Sequence, residues 1–598
     1  MSLLLSRRDL SFLLYEWLSV EQLTGRDRYS DHSRDTFEAV LDLAEQIATE
    51  HFAPHNKAND MHEPTLRDGR ADVIPQVGQA LDVFAQAGLL ASAMDAAVGG
   101  MQLPWVLTNA VLAFFQAANV GSTSYVTLTM GNANLLVTYG SPQQVDMFVR
   151  PMLDGRFFGT MCLSEPQAGS SLADVATRAE PRGDGTYRLF GNKMWISAGD
   201  HEFGENIVHL VLARTPDAPA GVKGISLFVV PKVLVNDDGS LGDRNDVVLA
   251  GLNHKMGYRG TTNALLNFGE GVHAPGGLPG AVGYLVGDEH RGLTYMFHMM
   301  NEARVSVGAG AMALGYTGYL KSLRYATERP QGRHVTAKDP AAPQVPIVEH
   351  ADVRRMLLAQ KSYVEGALAL VLYCGKLLDD EQTAESPQLR AQAHALLETL
   401  TPIAKSWPSQ WCLEANSLAI QVHGGYGYTR EYDVEQHYRD NRLNAIHEGT
   451  HGIHGLDLLG RKVVQNGGAG LTVLHASIAA SAAAAAALDD DDLRGYAGEL
   501  HAAVERVVEV TAAAWSSGQV EVVLAHATAY LEAVGHVVVA WMWLEQMTAA
   551  HGHAGSFYDG KRAAGRYFFR YELPKVGQQL DLVASLDRTT LDVDPGCL

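Results

Sequence analysis

LSEPQAGS, residues 163–170, marks the point where the spacing of the apolar residues changes. Before it the apolar residues recur at helical spacing, and after it they fall into short runs rich in Val, Ile, Leu, Phe and Trp. By itself the stretch is a polar turn between a helix and a strand, because Gly and Ser are common turn residues. Its Ser hydroxyls and the amides around Gly169 are also groups that hydrogen-bond ligands. The flanking sequence has to decide between these interpretations.

Downstream of this turn the sequence predicts a small β-domain, residues 159–285. Turns of the Gly-Asp-Gly and Asn-Asp-Asp-Gly type separate its strand-like runs, which are Tyr187–Ile196, Asn206–Arg214, Gly224–Pro231 and Asn263–Phe268. We expect antiparallel β-structure over about 120 residues. The first run leads into Lys193-Met194-Trp195-Ile196-Ser197. A Trp in a strand is more often a core residue than a ligand contact.

Helical segments are predicted on both sides of the β-domain, over 35–158 and 286–465, after an N-terminal extension of residues 1–34. Asp35 and Glu38 resemble a capping box at the start of an amphipathic helix. The apolar positions with helical spacing are Phe37, Val40, Leu41, Ala44, Ile47 and Ala48 before the β-domain, and Trp411, Ala415, Leu418 and Val422 after it.

The end of the chain, residues 470–598, is predicted to be a further helical domain. The Gly-rich stretch that begins at Gln465 interrupts the helical pattern, and an alanine run, Ala482–Ala487, precedes the acidic run Asp489–Asp492. Alanine is the best helix former and allows helices to pack closely, so this composition favours a helical bundle.

Composition narrows the class of protein. The formal net charge of -21 repels a polyphosphate backbone, so nucleic acid and anionic membranes are poor partners. The four cysteines, Cys162, Cys374, Cys412 and Cys597, form no C-x-x-C pair and suggest a reduced interior. The N-terminus does not match a signal peptide, and the longest apolar stretch, Val534–Leu544, is shorter than the roughly 18 residues of a membrane span. We expect a soluble, cytoplasmic protein without a membrane span.

His447-Glu448-Gly449-Thr450-His451 has two incompatible interpretations. As H-E-x-x-H it would place two imidazoles one helical turn apart around zinc, with Glu448 as the base of a metallohydrolase. Gly449 weakens the continuous helix that this site requires, and His454 does not fall at the spacing of a third ligand. We therefore expect no metal site, with His447 and His451 unassigned. As E-G-T, the segment resembles the catalytic glutamate segment of a flavoprotein.

Several motifs together resemble the acyl-CoA dehydrogenase family. They are residues 163–170, the strand 193–197, Asn301-Glu302-Ala303-Arg304, Glu328-Arg329, the loop Gln421-Val422-His423-Gly424-Gly425-Tyr426-Gly427-Tyr428, Arg439-Asp440 and the Glu448 segment. The resemblance covers residues 35–465. With a length of 598 and an extra C-terminal domain, the chain resembles the extended subgroup that includes methylthiopropanoyl-CoA and fatty acyl-CoA dehydrogenases. The chain departs from the family at Pro330-Gln331-Gly332-Arg333 and at His447, where many members have an aromatic residue.

This resemblance implies a mostly α fold with a central β-domain: an N-terminal helical domain, a middle β-barrel, a C-terminal four-helix bundle and an additional helical domain. It also implies FAD as cofactor and Glu448 as the catalytic base. The implied FAD-binding residues are Met161, Leu163, Ser164, Gly169, Ser170, Trp195, Ile196, Ser197, Arg329, Gln421, Gly424, Gly425 and Thr450. The implied substrate-binding residues are Ser170, Asn301, Arg304 and Gly449.

The implied reaction is the α,β-dehydrogenation of a saturated medium- or long-chain fatty acyl-CoA to the trans-2-enoyl-CoA, the first step of β-oxidation. Electron-transfer flavoprotein would accept the electrons, and a homodimer is expected. A 3-methylthiopropanoyl-CoA dehydrogenase and an acyl-CoA oxidase remain alternatives, since no motif reports the depth of the acyl pocket or the access of oxygen. A non-catalytic, DNA-associated flavoprotein is disfavoured by the acidic charge.

Overall fold

The computed structural model describes residues 3–339 and 341–598. Its helices, in chain order, are α1 (Arg7–Ser11), α2 (Arg34–Ile47), α3 (Asn56–Met61), α4 (Pro75–Gln86), α5 (Trp105–Tyr139), α6 (Pro142–Gln144), α7 (Arg150–Leu153), α8 (Gly292–Glu328), α9 (Ala351–Thr383), α10 (Pro387–His423), α11 (Val434–Asn444), α12 (His451–Asp457), α13 (Ala469–Ala486), α14 (Asp491–Ser516), α15 (Val520–Ala525), α16 (Ala527–Ala549), α17 (Ser556–Tyr567), α18 (Lys575–Ser585) and α19 (Thr589–Asp592). Its strands are β1 (Thr65–Arg67), β2 (Arg70–Asp72), β3 (Phe157–Cys162), β4 (Arg178–Pro181), β5 (Tyr187–Ser197), β6 (Asn206–Ala213), β7 (Ser226–Pro231), β8 (Val233–Val235), β9 (Leu241–Arg244), β10 (Val247–Leu252), β11 (Asn263–Phe268) and β12 (Ala281–Leu285).

The chain divides into two compact units by its internal contacts. We call residues 39–103 and 114–306 the sheet unit, and residues 3–38, 104–113 and 307–598 the helical unit. Three long elements, α2, α5 and α8, run from one unit into the other. The two units are defined by contacts between residues, whereas each predicted domain is a continuous stretch of sequence. The predicted domain boundaries therefore stay a prediction.

An eight-stranded sheet organises the sheet unit. The strand order is β10-β11-β5-β12-β7-β6-β3, with β4 paired to β5. The predicted antiparallel pairing is confirmed for the other strand pairs of this sheet, but β3 and β6 run parallel. The chain leaves β3 through residues 163–170 and builds β4 and β5 before it returns as β6, and such an excursion is long enough for a parallel crossover. Every residue of β6 is buried, as expected for a strand covered on both faces.

The helical unit packs α9 against α10 and surrounds α16 with the other C-terminal helices. Trp543 of α16 is fully buried. The N-terminal segment belongs to this unit as well: the indole of Trp17 donates to Glu545 at 3.0 Å, and the Tyr29 hydroxyl donates to Asp379 at 2.7 Å. The N-terminal extension is therefore packed onto α9 and α16.

Two helices, Gln465–Ala486 and Ala527–Ala549, have the length and mean hydropathy of a membrane span. The second is 83% buried, which identifies it as a core helix. The first, with 28% buried, is rich in alanine and packs against α14. Their length and composition alone are weak evidence for a membrane, so the absence of a span stays a prediction.

The start of α2 differs from the predicted capping box. Ser33 caps the helix, since its hydroxyl accepts from the Thr36 amide at 3.2 Å and its own amide donates to the Thr36 hydroxyl at 2.8 Å. Glu38 forms an ion pair with Arg7 at 2.6 Å. The reciprocal hydrogen bonds therefore join Ser33 and Thr36, two residues before the predicted pair of Asp35 and Glu38.

Candidate active site

In the sheet unit, the loop 163–170 is fastened to β5. The Met194 amide donates to the Ser164 carbonyl at 3.0 Å, and the Lys193 ammonium donates to the Leu163 carbonyl at 3.0 Å. Within the loop, the Glu165 and Ala168 backbones pair with each other. Two motifs that lie apart in the sequence thus form one local structure.

A buried ion pair, Glu165 with Lys193, holds this structure together. Their charged atoms are 2.8 Å apart, and neither side chain is more than 2% exposed. Glu165 also accepts from the Ala176 and Thr177 amides and from the Thr177 hydroxyl. Burial raises the pKa of Glu165, but Lys193 and these donors outweigh it, so the net pKa is lowered. A carboxylate with this many donors is a rigid anchor for the loop.

Trp195 is turned outward by a β-bulge. Ala264 of β11 pairs with Ile196 and Leu266 pairs with Lys193, so one residue of β11 faces two residues of β5. Trp195 has a left-handed backbone with φ of 66°, and its side chain is 58% exposed. The neighbouring Ile196 is 2% exposed and packs in the core, so only its backbone is available to a ligand.

The remaining candidates of the sheet unit differ in exposure. Met161 and Leu163 are half-buried and pack against a core cluster, and Ser164 and Ser197 are half-buried. Gly169 and Ser170 are exposed. The loop therefore presents small polar groups beside the exposed indole of Trp195.

Two substrate-binding candidates, Asn301 and Arg304, lie on α8. Arg304 is 5% exposed, and its guanidinium donates to the Asn301 side chain at 3.4 Å. Arg304 is therefore buried and is not part of a solvated surface pair. Between them, Glu302 accepts a hydrogen bond from Asn134, and burial raises its pKa to about 8.

In the helical unit, Glu448 lies in the turn between α11 and α12. Its φ is 53° and that of Gly449 is 97°, so two consecutive residues are left-handed. The Glu448 carbonyl is 3.1 Å from the His454 ring, and the Gly449 carbonyl accepts from Lys405 at 2.5 Å. Thr450 caps α12 through a bond from the Ile453 amide.

This turn rules out the helical H-E-x-x-H interpretation. His447 precedes the left-handed turn and His451 begins α12, so no continuous helix carries both imidazoles. The His447 ring lies 3.2 Å from the Asn444 side-chain oxygen, while His451 hydrogen-bonds Ser406. Burial, with a smaller contribution from Lys405, lowers the pKa of His447 to about 3 and that of His451 to about 4. Both rings are neutral near pH 7.

The glycine loop and Arg329 meet in the helical unit. The guanidinium of Arg329, just after α8, lies over the Tyr426 ring at 5.2 Å. Gly424 has φ of 61° and ψ of -138°, a conformation that favours glycine. Gln421, Gly424 and Gly425 are exposed.

Family models match nearly the whole chain. They are the N-terminal (34–156), middle (160–270) and C-terminal (290–463) domains of acyl-CoA dehydrogenase, and an acetyl-CoA dehydrogenase C-terminal-like domain (474–594). A 3-methylmercaptopropionyl-CoA dehydrogenase of Ruegeria pomeroyi is 39% identical, over 77% of this chain and 76% of that protein. The broad-specificity linear acyl-CoA dehydrogenase FadE5 of Mycobacterium tuberculosis is 31% identical over 98% of both chains.

The chain belongs to the acyl-CoA dehydrogenase family. The members of this family are FAD-dependent oxidoreductases that act on CH–CH donors. An acyl-CoA dehydrogenase of Bacillus anthracis solved with FAD has the same fold, with a TM-score of 0.74 and 18% identity over 98% of this chain and 93% of that one. The matches over the full length confirm the predicted fold class, including the extra helical domain.

The residues present fit a flavin. An exposed indole held by a bulge offers a flat face to a planar ring, and no atom lies within 4 Å of a Cβ built on Gly169, Gly424 or Gly425. Sequence reasoning missed three charged residues that fix these segments, namely Glu165, Lys193 and Lys405. In the sequence, Lys193 precedes the apolar run Met194-Trp195-Ile196 and Lys405 follows Ile403-Ala404, and a lysine beside a short apolar run was the available signal.

Proposed function

We propose that this protein dehydrogenates linear, saturated acyl-CoA thioesters at the α,β position to trans-2-enoyl-CoA. The observation that carries the proposal is the Glu448 turn, in which hydrogen bonds to the carbonyls of Glu448 and Gly449 fix a carboxylate-bearing residue in a left-handed backbone. The family resemblance and the relative FadE5, whose match spans the extra domain, support a linear acyl chain.

In the proposed reaction, Glu448 takes the α-proton of the thioester on its carboxylate. Its backbone N–H is proposed to hold the thioester carbonyl, where negative charge develops, an interaction typically worth a few kcal/mol. FAD, when bound, supplies the oxidising power that takes up the β-hydride. His447 and His451 are poor proton acceptors because their pKa values are so low.

The proposed FAD contacts in the sheet unit are the loop 163–170, Trp195 and Ser197. Arg329 and the exposed glycines of the 424–425 turn are proposed to bind the pyrophosphate and adenosine portion, since glycine lets the backbone approach a ligand closely. Asn301 and Arg304 are proposed to bind the CoA portion of the substrate.

A second candidate substrate is 3-methylthiopropanoyl-CoA, favoured by the 39% identity with the Ruegeria pomeroyi enzyme. Its acyl group is unbranched, so the same chemistry applies. The experiment is a series of straight-chain acyl-CoA substrates from C4 to C16, with 3-methylthiopropanoyl-CoA and the branched isobutyryl-CoA, each added anaerobically to the FAD-loaded protein. We expect flavin bleaching and enoyl-CoA formation with straight chains. Bleaching by none of them would overturn the proposal.

We also propose electron-transfer flavoprotein as the electron acceptor, a homodimeric assembly and a cytoplasmic location. Faster turnover with oxygen than with electron-transfer flavoprotein would identify an oxidase instead. Analytical ultracentrifugation of the FAD-loaded protein tests the dimer. Unpaired cysteines, of which Cys162, Cys374 and Cys412 are buried, support a reducing compartment.

A further inference from the structure

Lys405 of α10 is a buried lysine beside the Glu448 turn. Its side chain is fully buried, and its ammonium donates to the Gly449 carbonyl at 2.5 Å. Gly449 packs closely against the His454 ring, because a Cβ at this position would lie 2.8 Å from that ring. The hydrogen bond from Lys405 therefore fixes the peptide that follows Glu448.

The charge of Lys405 also acts on the two histidines of this segment. Lys405 contributes to the lowered pKa of both His447 and His451, and Arg442 adds to the effect at His451. The charged and titratable groups around this turn are thus Lys405, Arg442, Glu448, and the three histidines His447, His451 and His454. A neutral side chain of the same length would avoid the cost of burying an ammonium.

We infer that Lys405 is a positioning residue for Glu448, which fixes the backbone of the base through its hydrogen bond to the Gly449 carbonyl. The inference rests on the proposed function, because it assigns Lys405 a task in the proton transfer to Glu448. A fixed backbone keeps the carboxylate within reach of the α-proton, and small errors in such a geometry reduce rates strongly. Neutral imidazoles leave the carboxylate as the proton acceptor of the segment.

The test compares Lys405→Met, which removes the charge and the hydrogen bond, with Lys405→Arg, which retains both. Lys462→Met is the matched control, because Lys462 is also largely buried and pairs with Glu398 of α10 but does not bind the Gly449 carbonyl. The rate of anaerobic flavin reduction is measured from pH 5 to pH 9, together with FAD content and acyl-CoA affinity.

We expect Lys405→Met to reduce the flavin-reduction rate at least about tenfold, with acyl-CoA affinity within about threefold of wild type. The acid limb of its pH profile should move to higher pH, because loss of Lys405 raises the pKa of both histidines while burial, the larger cause, still lowers it. Lys405→Arg should restore the wild-type profile. Lys462→Met should show the wild-type rate and profile.

A measurement without flavin turnover checks the charge effect. A histidine whose folded-state pKa is below its unfolded value destabilises the protein as the pH falls through the unfolded value of about 6.5. Wild type should lose thermal stability between pH 7 and pH 4.5, and Lys405→Met should lose less over this range. If Lys405→Met does not fold, Lys405→Gln replaces it.

An unchanged rate and pH profile in Lys405→Met would overturn the inference. A slower variant whose pH profile is that of wild type would also overturn it, because the lysine would then only support the fold. Wild-type bleaching is measured first. If wild type does not bleach, the proposed function fails; if only the variant prediction fails, the proposed function stands.

Discussion

Trp195 combines two features that a folded protein usually avoids. Its large apolar side chain is 58% exposed, and its φ of 66° is unfavourable for a bulky residue, a strain of about 1–3 kcal/mol. The bulge in β5 and the bond from Met194 to Ser164 hold this conformation. Strain of this kind is concentrated at ligand-binding positions, so the exposed indole is where we expect the planar ring of the cofactor.

We predict that Trp195→Ala weakens FAD binding about two- to tenfold through lost stacking, because stacking on an aromatic ring is worth about 0.5–1.5 kcal/mol beyond the buried area. The thermal midpoint of the apo protein should change little, since the side chain is mostly exposed. Equilibrium dialysis with FAD gives the affinity. Tyr571→Ala is the matched control, with a side chain that is 57% exposed in the helical unit. Equal FAD affinity in Trp195→Ala and wild type would refute the role.

At the scale of elements, the glycine turn after α10 offers two adjacent positions with different backbones. Gly424 has a positive φ, whereas Gly425 does not, and no atom lies within 4 Å of a Cβ built on either. Both positions therefore have room for a Cβ, and they differ only in backbone conformation. The turn places Tyr426 under Arg329.

Gly424→Ala should therefore lower the unfolding free energy by about 1–3 kcal/mol through backbone strain. Gly425→Ala should change it by less than about 1 kcal/mol, because alanine tolerates that backbone. Denaturant titration of both variants provides the comparison. Equal losses in the two variants would show that the backbone conformation is not the cause.

Local sequence patterns predicted several of the strands. Strands occur at Tyr187–Ser197, Asn206–Ala213, Ser226–Pro231 and Asn263–Phe268, close to the predicted runs, because alternation and turn residues are local signals. Glu448 and Trp195 were predicted through the resemblance of their motifs to the family, and their roles stay predictions. The bulge that exposes Trp195 depends on the register with β11, and Lys405 reaches the Glu448 turn from another helix. Neither the strand register nor the contact of Lys405 can be predicted from neighbouring residues in the sequence.

At the scale of the whole molecule, the N-terminal segment is tied into the helical unit by a buried charge cluster. Lys561 of α17 binds Asp9 of α1 and Glu365 of α9, and the Tyr316 hydroxyl donates to Asp9 at 2.8 Å. Lys361 also pairs with Glu365. Burial raises the pKa of Asp9, and the nearby Glu365 adds to this effect. Sequence analysis placed residues 1–34 outside the domains because such long-range pairing has no local signature.

We predict that Lys561→Met lowers the unfolding free energy by about 3–5 kcal/mol, because it leaves two buried carboxylates without their shared partner. Arg562→Met, one residue further on, should cost less than about 1 kcal/mol, since Arg562 pairs with Asp559 at the surface. Thermal and denaturant unfolding of both variants, with limited proteolysis near residue 30, measures the effect. Similar losses in both variants would contradict the role of the cluster.

The central claim is that Glu448 removes the α-proton. Glu448→Gln should retain FAD and bind acyl-CoA, because the amide keeps the size of the carboxyl group, but flavin bleaching on anaerobic addition of substrate should slow by at least about 100-fold. Glu414→Gln, at an exposed position on α10, should bleach like wild type. Stopped-flow measurement of flavin absorbance decides the question. Bleaching of Glu448→Gln at the wild-type rate would remove Glu448 from the role of base.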